Sequence, residues 1–140
     1  MDKKEKRFAR ECALKMSYAH QMSQSDEIFE KINFDYEKFE NSSEIHSYAI
    51  RLAKKSLKHC EKLDKLIISK SSNWDISRIA VIDRLIIRLA LTEMIHFDEI
   101  PPKVSIVEAV EISKEFSTDD SASFINGILD SIYNKSIKIP

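Results

Sequence analysis

Apolar positions along this chain recur at three- and four-residue spacing, and no stretch alternates convincingly enough to read as a strand. Near the start, Ala9, Cys12, Ala13, Met16 and Ala19 form the stripe of an amphipathic helix running from about Lys4 to Met22. Lys6, Arg7, Arg10 and Lys15 lie largely off that stripe. "SQSDEIFEKI" predicts a short second helix with Ser25 or Asp26 as its N-cap. "NFDYEKFENSS" reads as a loop with some helix. One long helix is then expected from near Ser43, with Ile45, Ala49, Leu52, Cys60, Leu63 and Ile67 on its apolar side. Lys54, Lys55, Lys58, Lys62 and Lys65 occupy its other faces, and "SKSSNWD" breaks the pattern.

The segment "ISRIAVIDRLIIRLALTEMI" is apolar on nearly every side, which suits the centre of a helical bundle. Those of its charges (Arg78, Asp83, Arg84, Arg88 and Glu93) that face inward need ionic or hydrogen-bonding partners. "FDEIPPK" is a turn, because proline disfavours helix in the residue before it. Pro102 suits the first turn of the next helix, where a missing N–H costs little. That helix carries Val104, Val107, Val110 and Phe116, and Ser117 to Asp120 offer caps for a last helix. The reading is all-α, with about six or seven helices.

Composition supports this class. One glycine and three prolines in 140 residues leave too few turn formers for an all-β protein. The length suits one domain, residues 1–140, with a core that needs neither disulfides nor metal. Two cysteines, Cys12 and Cys60, both in apolar helical contexts, read as buried thiols of a reducing cytoplasm. No secretory signal opens the chain, and no apolar run is long enough to span a membrane.

The net charge of −1 conceals segregation. Residues 1–20 carry +3, 21–50 carry −5, 51–72 carry +5 and 73–134 carry −6, counting Lys, Arg, Asp and Glu. Such blocks either serve two surfaces for two partners or neutralise each other within the fold. No phosphate-binding glycine loop is present, and the four histidines lack zinc-site spacing. No catalytic group and no cofactor or metal site stands out. The sole glycine, Gly127, falls inside an apolar helical pattern, where it costs about 1 kcal/mol relative to alanine. Its expected role is to let another helix backbone come close.

Three stretches together carry a family resemblance. "RFARECALKMSYAHQMSQSD" resembles the opening R-A-R-E-x-A-L-x-x-x-Y helix of the NusB family. "NWDISRIAVIDRLIIRLALTEM" is similar to its W-x-x-x-R-I-x-x-x-D-R-x-I-L-R-L-A-x-x-E-L core helix. "EIPPKVSIVEAVEISKEFSTDDSASFINGILD" is similar to its I-P-x-x-V-x-I-N-E-A-V-E-L-A-K-x-F and S-x-x-F-V-N-G-V-L-D segments. The resemblance implies two packed helical subdomains and a role in transcription antitermination. Family members pair with NusE, a small ribosomal-subunit protein. The pair binds boxA, a single-stranded element of nascent RNA, and helps RNA polymerase through ribosomal RNA operons.

The resemblance also implies site residues. Arg7 and Arg10 match the arginine-rich start of the family's first helix, part of its RNA surface, and Lys3, Lys4 and Lys6 would add to it. Phe124 and Asn126 fall in the F-V-N-G segment on the RNA side, which gives Gly127 its other reading, close approach of an RNA strand. Phe116 and Asp120 match the loop that faces NusE, and Tyr18 and Asp83 match positions near the same partner. This chain departs from the pattern in three places: Phe8 interrupts the arginine run, Phe116-Ser117 stands for F-G, and Val107 replaces a frequent asparagine. The alternative function is a protein-interaction or homodimer module of the same fold with weak or no RNA binding. A third reading starts from the likeness of this helical domain to the N-terminal part of ribosomal RNA cytosine methyltransferases. A chain stopping at Pro140 leaves no room for their methyl-donor domain.

Overall fold

A computed structural model describes residues 1–70 and 75–137, with side chains through Lys135. Among these residues there are seven α-helices and no strand. They are α1 (Lys3–Ser23), α2 (Ile28–Lys31), α3 (Ser42–Lys58), α4 (Cys60–Lys70), α5 (Val81–His96), α6 (Pro102–Phe116) and α7 (Asp119–Ile132). The break expected at "SKSSNWD" falls mostly on residues 71–74, which with Lys138 lie outside the described residues.

Two helical groups share one core. In the first, α1 packs along α3 with α2 against its end; in the second, α6 lies on α5 and α7 on α6. The nearly all-apolar α5 joins them, touching α1, α3, α4, α6 and α7. Leu85, Ile86, Ile87, Leu89, Ala90, Leu91 and Met94 of α5 are all buried. Its inward charges find the partners the sequence demands: Arg88 makes a bidentate pair with Asp64 at 2.7 Å on both arms, and Arg84 donates to the Ile79 carbonyl at 3.0 Å. Pro102 opens α6 as expected.

Helix ends depart from expectation more than helix bodies. The long helix expected from Ser43 is two helices, because the backbone at His59 leaves the α conformation (φ −104°, ψ 14°). The bend lets Leu63 and Ile67 bury while α4 packs on α5 and α7. Neither Ser25 nor Asp26 caps α2; it starts after Glu27 with no side-chain cap. The loop after it contains one 3-10 turn, Tyr36–Lys38. Cys12 is buried, but Cys60 is only half-buried at the start of α4, so the expectation of two buried thiols holds for one.

Candidate nucleic-acid and partner interface

The basic start of α1 is held by a reciprocal cap. The Asp2 carboxylate accepts from the Glu5 N–H, and Glu5 accepts from the Asp2 N–H, both at 2.9 Å. Glu5 also accepts from the backbone N–H and side-chain amide of Asn41, at 3.0 and 3.1 Å. These bonds to the ionised form hold the Glu5 carboxyl below the usual carboxylate range. The start of α1 is thereby fixed to the start of α3, with Lys3 and Lys4 exposed and Lys6 and Arg7 half-buried.

Between this end of α1 and the Tyr36–Lys38 turn lies a cleft of ≈ 310 Å³, lined by Lys3, Lys4, Arg7, Phe8, Glu11, Lys38 and Phe39. Phe8, the interruption in the arginine run, packs on Phe39 with ring centroids 4.9 Å apart. Lys38 places its ammonium 4.4 Å from the centre of the Phe8 ring. A cation from a distant loop thus stands where the helix lacks one. Sequence reasoning missed Lys38 and Phe39, because their segment carries no recognisable motif. On the other side of Lys3, a wider groove of ≈ 550 Å³ runs between α1 and the α5–α6 turn, with Lys6, Lys103, Val104 and Val107 on its walls.

Arg10 is not on the surface. Only 6% of it is exposed, which corrects the expectation that it lies off the apolar stripe. Its Nε donates to Glu93 Oε2 at 2.8 Å, and its Nη1 lies 3.4 Å from Glu108 Oε1. Tyr48 and Ser105 also donate to Glu93. Arg7 makes a bidentate pair with Glu108, at 2.9 and 2.7 Å. This pairing holds the Glu108 carboxyl below its ordinary range despite burial. The charges of α1, α5 and α6 thus close on one another, and Arg10 serves the fold. The α5 pattern indicated that Glu93 needs a partner; it did not say which arginine supplies it.

Farther along, side chains of α1 and α6 meet in the same order on both helices. Arg7 meets Glu108, Glu11 lies beside Glu115, and Lys15 reaches to 5.6 Å from the centre of the Phe116 ring. Desolvation, reinforced by Glu115, pushes the Glu11 carboxyl above its ordinary range. Phe116 is partly buried against the core at the end of α6, and Tyr18, one turn beyond Lys15, is 41% exposed. Asp83 is only 6% exposed and accepts from Ser117 and Ser121, each at 2.8 Å. It secures the α6–α7 turn from beneath. The cap of α7 is Thr118, which accepts from the Ser121 N–H at 3.0 Å. Asp120 is an exposed acid in the first turn, not the cap.

On α7, Phe124 packs partly against the core, while Asn126 and Gly127 are exposed. A Cβ built on Gly127 meets nothing within 4 Å. The expectation that another helix backbone crosses here is therefore wrong, since the glycine faces outward. Elsewhere, burial pushes the Cys12 thiol up to about 12, which keeps it protonated and poorly nucleophilic. Among the described residues no three His, Cys, Asp or Glu side chains gather as metal ligands, and no helix is long and apolar enough to cross a membrane.

The profile of the NusB family matches residues 7–134. A protein of Thermodesulfovibrio yellowstonii described as transcription antitermination protein NusB is 38% identical, over 94% of this chain and 93% of its own. The structure of T. maritima NusB superimposes with a TM-score of 0.82 at 29% identity, covering 94% of this chain and 92% of that one. A NusB solved as antitermination factors NusB and NusE in complex with dsRNA gives 0.81 at 23% identity, over 95% and 98% of the two chains, a likeness of fold.

Proposed function

The chain belongs to the NusB family, and from that premise we propose that it is an RNA-binding transcription antitermination factor. In this reading it pairs with NusE, the pair binds boxA in single-stranded RNA, and the assembly supports RNA polymerase on ribosomal RNA operons. It works without catalysis.

The observation that carries the RNA side is the cleft at the start of α1. Lys3, Lys4 and Lys38 bring ammonium groups to its rim, and Phe8 and Phe39 bring apolar ring surface. Single-stranded RNA needs both: cations for phosphates, and aromatic or cationic planes for splayed bases. Phe124 and Asn126 form the second contact on α7, where the exposed backbone of Gly127 offers a strand close approach. NusE meets the other end of α1, at Tyr18, Phe116 and Asp120. There Asp120 steers a basic surface, and Asp83 acts indirectly by fixing the turn.

Binding of boxA RNA measured against salt, with and without NusE, tests the reading. Changing Lys3, Lys4 and Lys38 to glutamine lowers the slope of log affinity against log salt by about 0.7 per lost phosphate contact. A slope unchanged in the triple variant removes the cleft from the RNA site. One observation favours a second reading, the interaction or homodimer module with little RNA binding: Arg7 and Arg10 are both committed to carboxylates. Absence of salt-dependent binding even with NusE selects that reading.

A further inference from the structure

The bend between α3 and α4 collects charge that the fold does not use. Residues 51–70 hold seven lysines and arginines against two acids, Glu61 and Asp64. Asp64 is taken by Arg88, and Arg51 is paired with Glu99 at 2.8 Å. Among the described residues, Lys55, Lys58 and Lys62 have no carboxylate partner. Two histidines meet at this bend: His59, at the break itself, stacks on His96 from the end of α5, with ring centroids 4.4 Å apart. Desolvation lowers the His96 pKa, and so do the charges of His59, Lys55 and Lys62. Lysines of α3 and α4 therefore converge electrostatically on one imidazole of α5.

This patch connects to the groove beside α1. Lys6 acts on Glu99, Glu99 holds Arg51, and Lys55 follows Arg51 by one helical turn. Glu99 on that path is neutralised by Arg51, while Asp98 beside it and Glu61 at the start of α4 are exposed carboxylates at its edge. From Arg51 to Lys62 the two helices cover about 16 Å at 1.5 Å per residue. Lys55 on α3 and Lys62 on α4, on either side of the break at His59, both lower the pKa of the same ring by their charge.

We propose that the α3–α4 bend, with its His59–His96 stack and the unpaired lysines Lys55, Lys58 and Lys62 of the two helices that meet there, is a second phosphate-binding surface, which holds RNA running on from the segment bound at α1. The proposal rests on the RNA-binding reading above. Its occupant is the phosphodiester backbone, because the surface offers ammonium groups that no carboxylate pairs among the described residues. It adds affinity and length dependence without adding sequence preference.

The test compares boxA RNA of about 8 nucleotides with the same element extended to about 24, a short and a long site for single-strand binding, both with NusE present. Lys55→Gln with Lys62→Gln is expected to lower the salt slope for the long RNA by about 1.4 and to leave the short one unchanged. In the parent, the long RNA raises the His96 imidazole pKa followed by NMR, because phosphates offset the lysine field; the short RNA does not. Equal slopes for parent and double variant on the long RNA overturn the proposal, as does a His96 titration indifferent to it. Failure of the short RNA to bind defeats the RNA-binding reading itself, and this proposal with it.

Discussion

Arg10 and Gly127 exchange the environments their sequence contexts suggest. Arg10 sits in a polar, basic stretch yet is buried between Glu93 and Glu108. Truncating it leaves the buried Glu93 carboxylate without its cation and Glu108 with Arg7 alone, which costs far more than a surface pair. Arg10→Ala is expected to lose about 3–5 kcal/mol in urea unfolding. A loss below about 1 kcal/mol would show that the network contributes little. Gly127 sits in an apolar stretch yet faces outward with free space at its Cβ position. Gly127→Ala should therefore stabilise the protein by about 0.4–1 kcal/mol, through helix propensity and a less flexible unfolded chain. If RNA approaches this backbone, the same variant binds RNA more weakly while melting later. Calorimetry paired with an RNA titration separates the two effects.

Among the elements, the α6–α7 connection shows how a turn is built without glycine. Thr118 caps α7, Ser117 and Ser121 donate to Asp83, and Asp119 and Asp120 place negative charge at the helix N-terminus. Thr118→Ala should cost about 1 kcal/mol of stability by removing the cap. Asp120→Asn should leave stability nearly unchanged, since Asp120 is exposed and is not the cap. Its affinity for NusE, measured by titration calorimetry, is the sensitive quantity. Parental affinity at low and high salt would reduce Asp120 to a helix-dipole role. The α3–α4 break belongs to this scale too. No glycine or proline marks it, because packing on α5 and α7, not local propensity, bends the chain at His59.

For the molecule as a whole, stability depends on pH through opposing carboxylates. Glu5, Glu99 and Glu108 all have folded pKa values below ordinary ones, through hydrogen bonds from Asp2 and Asn41, from Arg51, and from Arg7 respectively. Such groups contribute stability that is present above the unfolded carboxylate pKa and is lost as pH falls through the folded one. Glu11 has the opposite sign. Its folded pKa is raised by desolvation and Glu115, so its contribution declines as pH rises through the folded value. Urea midpoints should climb across the acidic carboxylate range and then flatten. Glu108→Gln should be less stable at neutral pH and show a shallower acid limb; an acid limb as steep as the parent's would exclude Glu108 as a source of it.

Helix content, the central place of α5, the turn before Pro102 and the family were all legible in the sequence. Each depends on local periodicity, on proline's fixed geometry, or on motifs that are contiguous in the chain. The basic character of the start of α1 was equally legible, since charge is a property of composition. Tertiary structure alone decided which cations remain free. Arg10 and Lys6 lie four residues apart on one helix, yet only Arg10 is carried under α6 to meet carboxylates far away in the chain. Lys38 joins Phe8 across twenty-nine intervening positions as the Tyr36–Lys38 turn folds back on α1, and His59 meets His96 as α5 packs against α3 and α4. A hydrophobic stripe specifies which side of a helix is buried. It does not specify the partner, because burial of apolar surface is non-directional. The pairing of charges is set only when the packed helices fix the distances between them.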